Sequence, residues 1–291
     1  MFEKVESCPI CSSNRFSNFI VVQDYLVSRD SFAIIKCDEC NFKITSPRPI
    51  KEELGNYYKS ENYISHTSKA NNPINWIYKL VRNYTLAQKY KLINKRVPKG
   101  KILDYGCGTG DFLRYFKNKG WNIEGIEPDT EAAKIAANKN KIDVLPEVSY
   151  IKKNKYTAIT LWHVLEHISD INHVLEQLKP LLDNKGRIFI AVPNVQSYDA
   201  QYYKEKWAGY DVPRHLYHFE KSTMKKLMKR HGLKIKEILP MYFDSFYVSM
   251  LSEKYKNGKN NFIAAFKSGY KSNKEAKQNK NYSSLIYIIK K

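Results

Sequence analysis

Ten residues, Lys101 to Gly110, constrain this chain more than any others. They read K-I-L-D-Y-G-C-G-T-G, in which the apolar pair Ile102 and Leu103 ends in Asp104 and is followed by Gly106, Gly108 and Gly110. Asp111-Phe-Leu-Arg-Tyr-Phe then has helical apolar spacing. The order is strand, tight turn, helix. Glycine is needed there because the backbone bends sharply and must admit a ligand where any Cβ would collide. The helix start after Gly110 offers unpaired N–H groups and a partial positive charge.

A glycine turn alone serves dinucleotides, nucleotides and S-adenosylmethionine alike. Asp104 discriminates between them, because a carboxylate there disfavours a pyrophosphate and suits the ammonium group of adenosylmethionine. Trp121-Asn-Ile-Glu-Gly-Ile reads as a second strand ending at Glu127-Pro128-Asp129, where a carboxylate can accept both ribose hydroxyls. With these residues the chain resembles the class I S-adenosylmethionine-dependent methyltransferases, and specifically the family with first motif LD-x-G-C-G-x-G and fourth motif h-x-VLEH. Here those motifs are Leu103 to Gly110 and Trp162 to His167, and the resemblance runs from Ile102 to about Val192. It implies an α/β fold: a Rossmann-like seven-stranded sheet with one antiparallel strand, flanked by helices. It also implies that Asp104, Gly106, Gly108 and Gly110 cradle the methionine part, Glu127 the ribose, and Asp129 or Trp162 the adenine. Cys107, Pro128 and His163 belong to the same cofactor site, Cys107 as a small packing residue rather than a nucleophile.

The first 45 residues have their own logic. Cys8-Pro-Ile-Cys11 and Cys37-Asp-Glu-Cys40 enclose strand-like apolar runs, Phe19-Ile-Val-Val and Phe32-Ala-Ile-Ile. Four thiolates in two such pairs suit a closed tetrahedral, structural zinc site, with a redox pair or disulfides as the alternatives. Residues 1–45 are therefore expected to form a zinc ribbon. Residues 46–97 form a connector and helical cover, with Tyr57, Tyr58, Tyr63 and His66 as candidate pocket residues and a helix-like run from Ile74 to Val97. Residues 98–291 form the methyltransferase domain. The ribbon-plus-methyltransferase layout also looks like that of the deoxysugar C-methyltransferases.

The net charge is +20, from 49 Lys and Arg against 29 Asp and Glu. An anionic partner such as RNA is one explanation; isolated lysines on a solvated surface are the other, favoured by the scarcity of arginine clusters. The densest run, Lys254 to Lys280, reads in part as one helix with a basic face. Aliphatic runs such as Ile188 to Val192 are strand-length, and the N-terminus M-F-E-K-V-E-S-C lacks a signal-peptide core, so a cytoplasmic protein without a membrane span is expected.

His163-Val-Leu-Glu166-His167 follows the strand Tyr156 to Trp162, and a helical turn would place His163, Glu166 and His167 on one face. The small-RNA 2′-O-methyltransferases and ubiquinone-pathway O-methyltransferases look similar here, with E-x-x-E-H and a later histidine that can hold a divalent metal beside the acceptor hydroxyl. This chain has His163 for the first Glu, and a later Pro213-Arg-His215-Leu-Tyr-His218-Phe-Glu. Glu166, His167 and His218, with His163 and His215 nearby in the motifs, are thus a candidate second metal site. Without a metal, His163, His167 or His215 is the candidate general base. An insertion at about 195–220 brings Trp207, Tyr210, Arg214 and His215 into a candidate substrate pocket, where Arg214 would suit a carboxylate or phosphate.

The expected activity is methyl transfer to a hydroxyl or carbon of a small metabolite or sugar precursor. The alternatives are a metal-assisted RNA methyltransferase and a regulatory protein that binds the cofactor without turnover. Downstream, Ser222 to Gly232 reads as a capped helix, and Leu233 to Ile238 and Ser284 to Ile289 as strands.

Overall fold

The computed structural model describes residues 1–58, 73–151 and 155–291, with backbone only for 73–80. Tyr63 and His66 lie outside the described residues. The head of the chain supplies β1 (Phe2–Glu3), β2 (Phe16–Gln23), β3 (Ser31–Cys37), β4 (Lys43–Thr45), β5 (Arg48–Pro49) and the short helix α1 (Lys51–Leu54). After α2 (Pro73–Asn94) come β6 (Lys101–Tyr105), α3 (Asp111–Asn118), β7 (Asn122–Ile126), α4 (Thr130–Asn140), β8 (Val144–Leu145) and β9 (Tyr156–Trp162). The remainder is α5 (Ile171–Leu181), β10 (Leu182–Pro193), α6 (Tyr198–Tyr203), β11 (Tyr217–His218), α7 (Lys221–Arg230), β12 (Lys234–Pro240), α8 (Asp244–Asn257), α9 (Phe262–Asn279) and β13 (Ser284–Lys290).

Seven strands form one mixed sheet in the order β12-β13-β10-β9-β6-β7-β8, the Rossmann-like arrangement that the glycine turn implies. β6 runs parallel to β7 on one side and β9 on the other, and β7 runs parallel to β8. Both faces of these strands are covered, so Ile102 and Leu103 are buried consecutively rather than alternately. α3 buries Phe112, Leu113 and Phe116, the spacing that its apolar pattern dictates. α4 begins where the Asp129 side chain accepts from the Ala132 N–H.

One difference from the local sequence pattern has a clear cause. α7 starts one residue before Ser222, because Glu220 and Thr223 cap each other's backbone reciprocally. Most of the basic run from Lys254 to Lys280 lies in one helix, α9, as read, while its first residues close α8, which Gly258 at φ 72° ends.

The described residues fall into two compact units, one within 65–162, 172–190 and 288–291, the other within 1–64, 163–171 and 191–287. The second unit holds a four-stranded sheet, β11-β4-β3-β2, and the pair β1-β5. β11 arrives from far down the chain and pairs antiparallel with β4, Tyr217 opposite Ile44 and His218 opposite Lys43. In the same unit Val22, Phe32 and Ile34 share a core with Trp207, Tyr210 and Val212. No described helix is long and apolar enough to cross a membrane.

Candidate functional site

In the first unit the glycine turn leaves β6 with Gly106, Gly108 and Gly110 at φ 72°, 52° and 76°. At Gly110 a Cβ would stand 2.4 Å from Asn140 Nδ2 and 2.9 Å from Ala136 Cβ, so both conformation and space demand glycine. The Gly108 N–H donates to Glu127 Oε2 at 2.8 Å and the Asp129 N–H donates to Glu127 Oε1 at 3.0 Å. Glu127 is thereby held at the end of β7, with lone pairs to spare on both oxygens. Cys107 packs with Leu113 and Ala136, and burial raises its thiol pKa, which keeps it inert. Pro128 is exposed beside Glu127.

Asp104 is buried at the end of β6, where Thr160 Oγ1 donates to it at 2.6 Å. Burial pushes its pKa up to about 7 despite that bond and the Lys89 charge. A buried carboxyl poised near neutrality is suited to a cationic ligand. Trp162 ends β9 with Lys89 Nζ 4.2 Å from the ring centroid and Phe112 tilted against it at 5.9 Å. Its Nε1–H is buried without a hydrogen-bond partner among the described residues. Thr160 and Lys89 were not legible as site residues, since nothing local marks them.

The second unit contains the histidine cluster. His163 takes φ 57° and its N–H donates to the Ala191 carbonyl, so the expected helical turn is reduced to a 3-10 turn over Leu165–His167. The i, i+3 relation still brings His163 Nδ1 to 3.4 Å from Glu166 Oε1, while Nε2 lies 2.9 Å from Asp244 Oδ2. Burial works against protonation of His163, but Asp244 and then Glu166 overcome it and raise its pKa to about 10. His163 is accordingly an imidazolium between two carboxylates. Asp244 carries no motif in the sequence.

His167 is the opposite case, its pKa lowered to about 4 by burial and by the neighbouring His215. Its Nδ1 lies 3.1 Å from the Arg214 carbonyl oxygen and 2.9 Å from Tyr58 Oη. A carbonyl only accepts, so Nδ1 carries the proton and Nε2 is left with the lone pair. His215 Nδ1 likewise faces the Gly209 carbonyl at 2.9 Å, and the two imidazole rings stand 4.6 Å apart, edge to face. Glu166 is fully buried; desolvation opposes its charge, but the adjoining His163 keeps its pKa below the usual carboxylate value. One ligand atom from each of Glu166, His167 and His215 lies within 4.8 Å of the others. The group thus contains Glu166 and His167 of the candidate second metal set together with His215, and not His218. His218 Nε2 is engaged with Thr45 Oγ1 at 2.9 Å.

The insertion's other residues are structural. Arg214 is 1% exposed, and its guanidinium is used up within the fold: two bonds from Nε to Asp211, Nη2 to Asp211 and Asp24 at 2.7 and 2.9 Å, and Nη1 to the Tyr57 carbonyl at 2.9 Å. It has no fork left for a substrate carboxylate or phosphate. Trp207 and Tyr210 are core residues, with the Trp207 Nε1–H donating to Asp199 Oδ2 at 2.8 Å.

Near the N-terminus, Cys8, Cys11, Cys37 and Cys40 converge with ligand atoms inside 4.8 Å of one another. The sulfurs of Cys8 and Cys40, and those of Cys11 and Cys37, are 3.5 Å apart, far beyond a disulfide and near the edge expected for four Zn–S bonds of about 2.3 Å. Cys8 with Cys11, and Cys37 with Cys40, each sit on a knuckle closed the same way: the Ser12 N–H donates to the Cys8 carbonyl and the Asn41 N–H to the Cys37 carbonyl, with Ser12 and Asn41 at φ 63° and 64°.

Comparison with known proteins agrees with this geometry. Residues 78–238 match the family described as the methyltransferase domain. The ubiquinone biosynthesis O-methyltransferase of Pelagibacter ubique is 29% identical over 192 residues, which cover 60% of this chain and 77% of that protein. An uncharacterized protein of Methanocaldococcus jannaschii is 30% identical over 154 residues, covering 51% of this chain and 57% of that protein. In fold, the crystal structure of magnesium protoporphyrin IX methyltransferase from Synechocystis with bound SAH aligns with a TM-score of 0.53 at 13% identity, over 83% of this chain and 100% of that one.

Proposed function

Because the chain belongs to the methyltransferase-domain family of class I S-adenosylmethionine-dependent enzymes, we propose that it transfers a methyl group to a hydroxyl of a small metabolite or sugar precursor, with His167 as the base. Asp104 and the turn of Gly106, Gly108 and Gly110 hold the methionine part of the cofactor. Glu127 accepts the ribose hydroxyls, and Asp129 and Trp162 border the adenine. The chain passes directly from Trp162 into the loop of His163, Glu166 and His167.

The observation that carries the base assignment is the neutral His167 with its Nδ1 proton committed to a carbonyl oxygen. Methyl transfer is an in-line displacement on a sulfonium carbon, and the acceptor oxygen becomes cationic as the bond forms. A neutral imidazole can take the proton released at that stage even though its own pKa is low. His163, held as a cation by Asp244, cannot. Its part is to keep Glu166 ionised.

A second reading has its own support. Glu166, His167 and His215 form a carboxylate–imidazole–imidazole set in which Glu166 and His215 are buried and His167 is half-buried, and both imidazoles are anchored through Nδ1 by backbone carbonyls, the support that metal-ligating histidines require. Zinc, manganese or iron would fit this donor set better than magnesium. Such an ion would acidify a bound acceptor hydroxyl. Separately, we assign a structural zinc to Cys8, Cys11, Cys37 and Cys40, making residues 1–45 a zinc ribbon.

The test is calorimetric titration of the protein with adenosylmethionine and adenosylhomocysteine, with metal analysis of the wild type and a Glu166→Ala, His167→Ala double variant. Cofactor binding with one zinc in both proteins supports the metal-free base. A second metal lost in the variant supports the metal-assisted reading. Absence of cofactor binding sinks both. Once an acceptor is found, His167→Gln should lower kcat on the order of 10²-fold with cofactor affinity intact.

A further inference from the structure

α9 is built inside out. The face it buries carries Ala265, Ser268, Gly269, Ser272 and Ala276, all small. The face it turns to solvent carries Phe262, Ile263, Phe266 and Tyr270, which are 63%, 71%, 63% and 60% exposed. At positions i, i+1, i+4 and i+8 these four form one continuous stripe. The small face has a packing cause: at Gly269 a Cβ would meet the Phe246 Cα of α8 at 2.9 Å. The large face has no such cause, because folding gains nothing from aromatic side chains left in water. Phe246 of α8 lies 5.3 Å from Phe266 between ring centroids, so the stripe runs up to α8. A stripe of this extent on one helix marks an interaction surface.

The charge around it selects the partner. Every lysine from Lys254 to Lys280 is exposed, and Glu275 is the one acid in that stretch. Lys267 and Lys274 border the stripe along its length, and Lys277 continues it at the C-terminal end. Aromatic and branched apolar side chains on one face, with lysines at its margin, are the composition of a helix that lies in the interface of an anionic bilayer, apolar side down and ammonium groups at the phosphates. Ile263, the most exposed of the four, has an aliphatic side chain that inserts among acyl chains and cannot stack on a nucleobase. The cations are lysines rather than arginines, which serve as point charges for a fluid array of headgroups rather than as forks for a fixed ligand.

We propose that the α8–α9 hairpin is a peripheral docking surface for anionic membrane, with Phe262, Ile263, Phe266 and Tyr270 entering the headgroup region and the flanking lysines binding phosphate. The surface lies on the membrane and does not span it. This proposal is independent of which acceptor the enzyme methylates.

Flotation of the full-length protein with vesicles tests it, using phosphatidylcholine mixed with phosphatidylglycerol against phosphatidylcholine alone. The wild type should float with the anionic vesicles and stay in solution with the neutral ones. A Phe262→Ser, Ile263→Ser, Phe266→Ser variant should lose about tenfold or more in partitioning at any salt. A Lys267→Glu, Lys274→Glu, Lys277→Glu variant should lose binding to a similar degree, and added salt should weaken the wild type. All six side chains are exposed, and unchanged adenosylhomocysteine binding confirms that the variants are folded. Failure of the wild type to bind anionic vesicles overturns the proposal, as does serine-variant binding equal to the wild type. So does a concentration-dependent dimer or a single-stranded RNA complex that needs the same stripe while vesicles are ignored.

Discussion

At the scale of single residues, each unit holds ionisable groups whose charge is set by burial and by their neighbours. Asp104 shows this most simply. Its pKa of about 7 in the folded chain stands above the ordinary 3.8, so between those values the folded protein holds a proton that the unfolded chain has released. Its contribution to stability is present at low pH and is lost as pH rises toward 7. A cationic ligand reverses the sign, since it favours the carboxylate. Adenosylmethionine affinity should therefore rise as pH increases through about 7 in the wild type and lose that dependence in Asp104→Asn, as read by calorimetry across pH. Gly110→Ala should cost about 1–3 kcal/mol of stability, from positive φ and the collision with Asn140, and should weaken cofactor binding; thermal unfolding with and without adenosylhomocysteine measures both. These residues were legible because a backbone that bends through three positive-φ positions leaves a glycine signature in any sequence. The charge states of His163 and His167 were not. Two histidines of one motif end near pKa 10 and 4 because burial disfavours the cation at both, Asp244 overcomes it at His163, and His215 adds to it at His167.

At the scale of elements, the chain joins segments that are distant in sequence through buried polar knots. Arg214 is the clearest: its guanidinium spans Asp24 in the turn after β2, Asp211 in the insertion and the Tyr57 carbonyl after α1. Burial disfavours the cation, but Asp211 and then Asp24 raise its pKa and keep it charged, and the two acids are lowered in return. A lysine offers one ammonium where this knot needs a planar fork, so Arg214→Lys should destabilise by about 3–5 kcal/mol, measured by denaturant unfolding. The residue types near Arg214 suggested a pocket, and the error has a physical source. A cation, two aromatics and a histidine serve a ligand or a core equally well, and only the partner 190 positions away decides. The two cysteine knuckles were readable for the opposite reason, since each is a local turn whose sulfurs need only three bonds of sequence to converge. The same holds for β6 and β9, whose apolar runs announce strands buried on both faces.

At the scale of the whole molecule, the seven-stranded sheet and its helices follow from the alternation of strand and helix patterns, and the position of the cofactor turn follows from the sheet. What the alternation does not contain is the pairing of β4 with β11, two residues contributed by the far end of the insertion. If zinc fills the four-cysteine set, its removal by a chelator should lower the melting temperature in one transition with that sheet rather than release a separate ribbon, and scanning calorimetry with and without chelator distinguishes the two. The β4–β11 ladder also fixes an order of events during synthesis. The cysteines leave the ribosome early, but the strand that covers their sheet emerges only after roughly three quarters of the chain has been made, so β4 waits with an open edge through most of translation. A nascent chain stalled before Tyr217 would carry that edge uncovered, and among the partial products of this gene those are the ones a chaperone would have to hold.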